Sequence, residues 1–214
     1  METLDFVREQ KPIYLPKQEP VVVDVPEMLF LMIDGEGQPD GGTPEHNQVF
    51  QAAVGALYGL VYTIKFSDKK GNAPEGFLKF KVPPLEGLWW MKDGEAFDMK
   101  RPGEWCWTLM IRVPDFVTDK TIAEFADELE QKKGPGAYKS VRLERFIEGP
   151  SVQVMHIGPY DTEAQTIRKM HAFAAANGYR LKGHHHELYF GDPRRTKPER
   201  LRTVLRQPVV KTEL

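Results

Sequence analysis

Apolar positions along the chain recur with two different periods, and the switches between them mark out the elements. Stretches 21–25 and 28–34 are dense in branched and long apolar residues and read as strands. Val49, Ala53, Leu57, Leu60 and Ile64 then return every three or four positions, which predicts a helix over about 44–65. Thr43 is placed to cap it, with Pro44 and Glu45 in its first turn. Strands are expected over 77–82, 86–91 and 105–113. A second helix is expected over 118–132, with Ile122, Phe125, Ala126 and Leu129 as its apolar stripe and Gly134-Pro135-Gly136 as its stop. Strands 141–147 and 151–157 follow, then a helix over 160–176 ended by Asn177-Gly178, then strands 184–190 and 201–210.

The order of these elements repeats. A strand, a helix and two strands occur once in a half spanning about 27–115 and again in a half spanning about 141–210. Neither unit covers its few strands alone, so pairing them is the stable solution. The expectation is an α+β domain over 27–214 with pseudo-twofold symmetry: an antiparallel sheet, helices on one side and a ligand cleft at the centre. Residues 1–26, with Pro12, Pro16 and Pro20, read as an extended N-terminal arm.

Composition narrows the chemistry. Lys plus Arg is 29 and Asp plus Glu is 31, a net charge of −2 that argues against a nucleic-acid partner. There is one cysteine, Cys106, so neither an internal disulfide nor a cysteine-built metal site is expected. No apolar run approaches a membrane span, and the N-terminus has no signal-peptide pattern, so a cytoplasmic location is expected. The three serines, Ser67, Ser140 and Ser151, lie outside any G-x-S-x-G elbow, which disfavours a serine hydrolase.

The glycine-rich loop at 35–42 carries Asp34, Glu36 and Asp40, which would repel a phosphate, and Pro39 stands where a calcium loop needs glycine. It reads as a turn feeding a helix. Of His184, His185 and His186, only the first and third share a strand face, so no metal or organic cofactor is expected. The basic run from Arg194 to Arg206 lacks interleaved aromatics and reads as a solvated face or a set of carboxylate partners.

Two features carry more. All four tryptophans, Trp89, Trp90, Trp105 and Trp107, lie on two neighbouring strands; Trp89 and Trp90 must point to opposite faces, while Trp105 and Trp107 share one. Flat indole walls suit flat aromatic or cationic ligands. Glu187 interrupts an aromatic strand, His185-His186-Glu187-Leu188-Tyr189-Phe190. With Leu188 and Phe190 expected on the helix-packed side, His185, Glu187 and Tyr189 are expected on the other, facing the cleft. There the carboxylate could balance a cation or activate water.

The segments Pro83-Pro84-Leu85-Glu86-Gly87-Leu88-Trp89-Trp90, Trp107-Thr108-Leu109-Met110-Ile111-Arg112, Met155-His156-Ile157-Gly158-Pro159-Tyr160 and His185–Phe190 together resemble a stand-alone bacterial branch of the GyrI-like small-molecule-binding family. The resemblance extends from about Val21 to the end of the chain. It implies the duplicated fold described above, ligands that are amphipathic, aromatic and often cationic, and a central glutamate matching Glu187. It also implies a possible activity, the opening of the strained cyclopropane of DNA-alkylating natural products, with Glu187 activating water and Tyr189 or Tyr160 assisting. Relatives that are regulators carry a DNA-binding helix-turn-helix ahead of this domain; about 20 residues precede it here, so direct transcriptional regulation is not expected. The first reading is therefore a binding protein for flat aromatic cations, with Glu187 as counter-charge and Trp89, Trp90, Trp107, Met155, Tyr160, His185 and Tyr189 around the ligand. The alternatives are the hydrolase, with Glu187 and Tyr189 catalytic, and a protein-interaction module of gyrase-inhibitor type.

Overall fold

The computed structural model describes residues 3–39, 44–94, 100–192 and 194–212. The expected cap Thr43 lies outside them. Helices α1 (Phe6–Glu9) and α2 (Lys11–Tyr14) lead into strands β1 (Val21–Val25) and β2 (Met28–Glu36). Helix α3 (Pro44–Lys65), the short α4 (Ser67–Lys70) and strands β3 (Leu85–Met91) and β4 (Trp105–Arg112) complete the first half. Helix α5 (Asp119–Lys133) crosses to β5 (Arg142–Phe146) and β6 (Gly149–Ile157). Helix α6 (Glu163–Ala176) is followed by β7 (Tyr179–Leu181), β8 (His185–Phe190) and β9 (Arg202–Lys211). The strands form one sheet in the order β1-β6-β9-β8-β3-β4-β2-β5, with β7 also paired to β9, and every strand pair is antiparallel.

The long helices share one face of this sheet. Helix α3 buries Leu57, Leu60 and Ile64 against Leu31, Ile33, Leu109 and Ile111, and α5 adds Ile122, Phe125 and Leu129. Its start is capped by Thr118, whose hydroxyl accepts from the Thr121 amide. Helix α6 sets Met170 and Ala174 on Val152, Val154, Leu205 and Val209. Each such aliphatic side chain removed from water stabilises the fold by about 1.5–3 kcal/mol.

The other face is closed by the N-terminal segment, which is not simply extended. Phe6, Ile13 and Tyr14 pack on Met155, Leu188 and Val204. Asp5 caps α1 by accepting from the Arg8 amide at 3.1 Å. Pro12 sits in the first turn of α2, where a helix tolerates proline, so its presence did not forbid the helical turn. The need to cover apolar sheet surface decides the conformation here.

The strand expected over 77–82 is absent from the sheet. Phe80 forms only an isolated parallel bridge with Leu4, held by Leu4 N–H to Lys79 O and Lys81 N–H to Leu4 O, each 2.9 Å. Pro83 and Pro84 supply no N–H donors, and pairing in the sheet begins at Leu85.

One glycine on β2 is required by packing. A Cβ at Gly35 would stand 2.2 Å from the six-membered ring of Trp107, a side chain with no exposed surface. Gly35→Ala is expected to cost about 1–3 kcal/mol, seen as a lowered urea midpoint with an unchanged slope.

Candidate functional site

The helices do not cover the sheet evenly. Helix α3 lies over β2 and β4, and α6 lies over β6 and β9. The central pair β8–β3 forms the floor of a crease between them. On β8, His185, Glu187 and Tyr189 stand opposite Trp89, Gly87 and Leu85 of β3. On the other flank, Glu187 and Tyr189 stand opposite Leu205 and Thr203 of β9. Directly opposed residues share a face, and Leu205 packs under α6, so Glu187 lies on the helix-bearing face. The assignment of faces expected above is thereby reversed: Leu188 and Phe190 point toward the N-terminal segment, and the crease opens between helices. An alternating strand defines two faces without saying which one the helices take.

Glu187 is held firmly. Its side chain is 13 % exposed. Tyr189 donates its hydroxyl hydrogen to Glu187 Oε2 at 2.7 Å, and His185 Nε2 lies 3.1 Å from Oε1. Against an ionised carboxylate, which only accepts, His185 would present a hydrogen on that nitrogen. Trp89 Nε1–H donates in turn to the Tyr189 oxygen at 2.9 Å. Burial, then the negative charge of Glu187, push the Tyr189 hydroxyl well above the usual range, which keeps it a proton-bearing donor. Gly87 leaves room for this chain: a Cβ there would meet Trp89 Nε1 at 2.9 Å and the Tyr189 oxygen at 3.1 Å.

The crease is lined by aromatic rings. Tyr160 meets Tyr189 edge-on at 5.9 Å, and Phe50 of α3 stacks on Trp89 at 6.3 Å. The structure thus brings together Glu187, Tyr189, His185, Trp89 and Tyr160. It does not bring Trp90 or Met155 to them, and it brings Trp107 only to Trp89, which it opposes across β3–β4. Trp90 points to the opposite face and stacks on His184, with ring centres 4.4 Å apart. Met155 is buried with Phe6, Ile13 and Tyr14. Trp107 shares the helix-bearing face but is fully buried in the core, edge-on to Phe50, and its Nε1–H donates to Gly37 O at 3.2 Å.

Three polar residues in the crease were not foreseen: Glu163, His171 and Thr203. Glu163, the first residue of α6, is 2 % exposed, and its Oε1 has no hydrogen-bond partner. Burial first, and then the charge of Glu187, raise its carboxyl well above the usual range. The Thr203 hydroxyl is near enough to oppose this, yet is not in hydrogen-bond geometry with it. His171, two turns further along α6, has its Nε2 buried without a partner and is pushed down by burial and by His185. In the sequence Glu163 reads as an acid in a helix's first turn, where such residues are common for dipole reasons.

The remaining histidine of the triplet belongs to a separate network behind the floor. His186 Nδ1 lies 2.9 Å from Glu148 Oε1 and its Nε2 3.1 Å from Glu86 Oε2. Arg206, fully buried, donates to Glu148 at 3.0 Å, to Gln153 at 2.9 Å and to the Ile13 carbonyl at 2.7 Å.

An antiparallel sheet with its long helices on one face is the architecture of a class of small-molecule-binding domains. The chain belongs to the GyrI-like small-molecule-binding domain family, whose sequence model matches residues 18–210. It is similar over 97% of its length to the whole of an uncharacterised conserved protein from Listeria innocua, with 42% identity and a TM-score of 0.89. It is also similar to two Listeria innocua structures described as hydrolases. One has 39% identity and a TM-score of 0.85 over 97% of this chain, the other 40% and 0.88 over 98%, each along the whole of the other chain. The C-terminal domain of EcmrR shares the fold, with 13% identity, a TM-score of 0.55 and coverage of 91% of this chain and 98% of that one. No curated protein matches the chain. No helix among the described residues is long and apolar enough to cross a membrane.

Proposed function

We propose that the protein is a hydrolase of flat aromatic small molecules carrying a strained, electrophilic carbon such as a cyclopropane. The observation that carries this is the Glu187 carboxylate on the crease floor, hydrogen-bonded by Tyr189 and His185 and flanked by the rings of Trp89 and Tyr160. Each carboxylate oxygen has two acceptor sites, so one on each remains for a water. Glu187 takes a proton from that water as its oxygen attacks the strained carbon. Tyr189 and His185 keep the carboxylate aimed, and the aromatic walls hold the substrate flat. The likeness of the whole chain to two hydrolases at about 40% identity supports the same reading.

The second reading is a binding site for flat aromatic cations with Glu187 as counter-charge. The proximity of a second carboxyl, Glu163, favours it.

The test is incubation of the purified protein with a spirocyclopropyl cyclohexadienone, whose opening by water yields a phenol. The expected result is catalytic formation of a product heavier by one water, with oxygen-18 from labelled solvent at the former ring carbon. Tight binding with no product above the uncatalysed rate would leave the binding reading in its place.

A further inference from the structure

We propose that Glu163 is the proton donor of this site: it holds a proton in the resting protein and delivers it to the oxygen that gathers charge as the substrate's ring opens. The inference rests on the hydrolase reading and extends it by a second catalytic residue.

Glu163 and Glu187 differ in how their oxygens are used. Both oxygens of Glu187 already face donors within the protein, Tyr189 at 2.7 Å and His185 at 3.1 Å. Glu163 Oε1 faces none, although the residue is 2 % exposed. Leaving a buried polar oxygen unsatisfied costs about 1–3 kcal/mol, and more if it is ionised. The groups that act on it are Glu187 on β8 and Thr203 on β9; its own charge reaches Tyr189 on β8, and His156 on β6, opposite Thr203, lies 3.1 Å from the hydroxyl of the preceding residue, Thr162. Two carboxyl groups close together in such a place cannot both ionise readily, and Glu187 is the one with donors to hold its charge. Glu163 is left as the acid, raised by burial and by Glu187. Such a division of one acid and one base is what hydrolysis requires.

The step balances. The water oxygen bonds to the strained carbon as the carbon–carbon bond of the ring breaks. The electron pair passes through the conjugated ring to its carbonyl oxygen, which becomes a phenolate. Glu187 takes the water's proton and Glu163 gives its own to the phenolate, so substrate plus water becomes the hydroxylated phenol. Proton exchange with solvent then resets the two carboxyls.

The experiment compares the wild-type protein with Glu163→Gln on a series of spirocyclopropyl cyclohexadienones whose product phenols differ in acidity, across pH. For wild type, kcat is expected to fall at alkaline pH as Glu163 loses its proton. Glu163→Gln is expected to lower kcat about 100-fold or more for the least acidic phenol, much less for the most acidic, and to abolish the alkaline fall. An equal loss for every phenol with the alkaline fall retained, or no loss, overturns the proposal while leaving the hydrolase reading intact. No turnover by wild type overturns both. Should the variant fail to fold, infrared spectroscopy of the wild-type protein decides: a protonated-carboxyl band that disappears along the alkaline limb of kcat supports Glu163 as the acid, and no such band at neutral pH overturns it.

Discussion

Glu187→Gln is expected to abolish ring opening, with a loss of about 100- to 10,000-fold in kcat, while leaving the fold and the binding of flat aromatic compounds in place. Glutamine has the same shape, and its carbonyl can still accept the Tyr189 hydroxyl hydrogen now given to Oε2 at 2.7 Å. Its amide would face His185, whose ring can present an acceptor nitrogen in the other tautomer. The substitution therefore removes the base and little else. Turnover, ligand titration by quenching of tryptophan fluorescence and the urea midpoint should be measured on the same preparation. Lost turnover with retained binding and an unchanged midpoint is the expected pattern. Full activity would exclude Glu187 as the base. If turnover is absent in wild type and the variant loses cations but not neutral analogues of the same shape, the counter-charge reading stands instead.

Glu148→Ala is expected to be the most damaging change to stability, at about 3–5 kcal/mol. Glu148 accepts from Arg206 at 3.0 Å and lies 2.9 Å from His186, and neither partner has appreciable exposed surface. Removing the carboxylate strands a guanidinium in the interior without its charged partner. The damage should reach the N-terminal segment, because Arg206 also holds the Ile13 carbonyl at 2.7 Å and Gln153 donates to the Pro12 carbonyl at 2.5 Å. Urea unfolding gives the magnitude, and protection of the α1–α2 amides from hydrogen exchange gives the location. A loss below about 1 kcal/mol would mean that the network contributes little net stability.

The same network gives stability a pH dependence of definite sign. Burial raises the Glu148 carboxyl, but the His186 and Arg206 charges and hydrogen bonds outweigh it and hold Glu148 at about 2. A carboxyl depressed in the folded state stabilises the protein above its unfolded value, 4.5, and that stability is lost as pH falls toward 2. The shift corresponds to roughly 3 kcal/mol. His186 is shifted the other way: burial lowers it, but Glu148 and Glu86 raise it above its ordinary value. Its contribution is complete below about 6.5 and is lost as pH rises through the raised folded value. Glu148→Ala should flatten the acid limb of a plot of urea midpoint against pH.

The amino-acid sequence by itself determined the two repeated units, the three long helices and the alternation of β8, because each depends on a periodicity that any local stretch reveals. The spacing of Leu57, Leu60 and Ile64 requires an apolar helix face whatever it packs against, and His185, Glu187 and Tyr189 must share a side of any strand that contains them. Only the tertiary structure decided which side that is, for an alternating strand is equally consistent with either orientation toward the helices. It also decided which rings stand near the carboxylate. Met155 proved to face the N-terminal segment, Trp90 to stack on His184 on the side away from the long helices, and Trp107 to fill the core, since each faces whatever the neighbouring elements leave for it. Glu163 is the sharpest case: 24 residues before Glu187 and on another element, it becomes a partner only because α6 starts where β8 and β9 lie side by side. No local pattern encodes that approach, which arises from how the second unit folds back on its own strands.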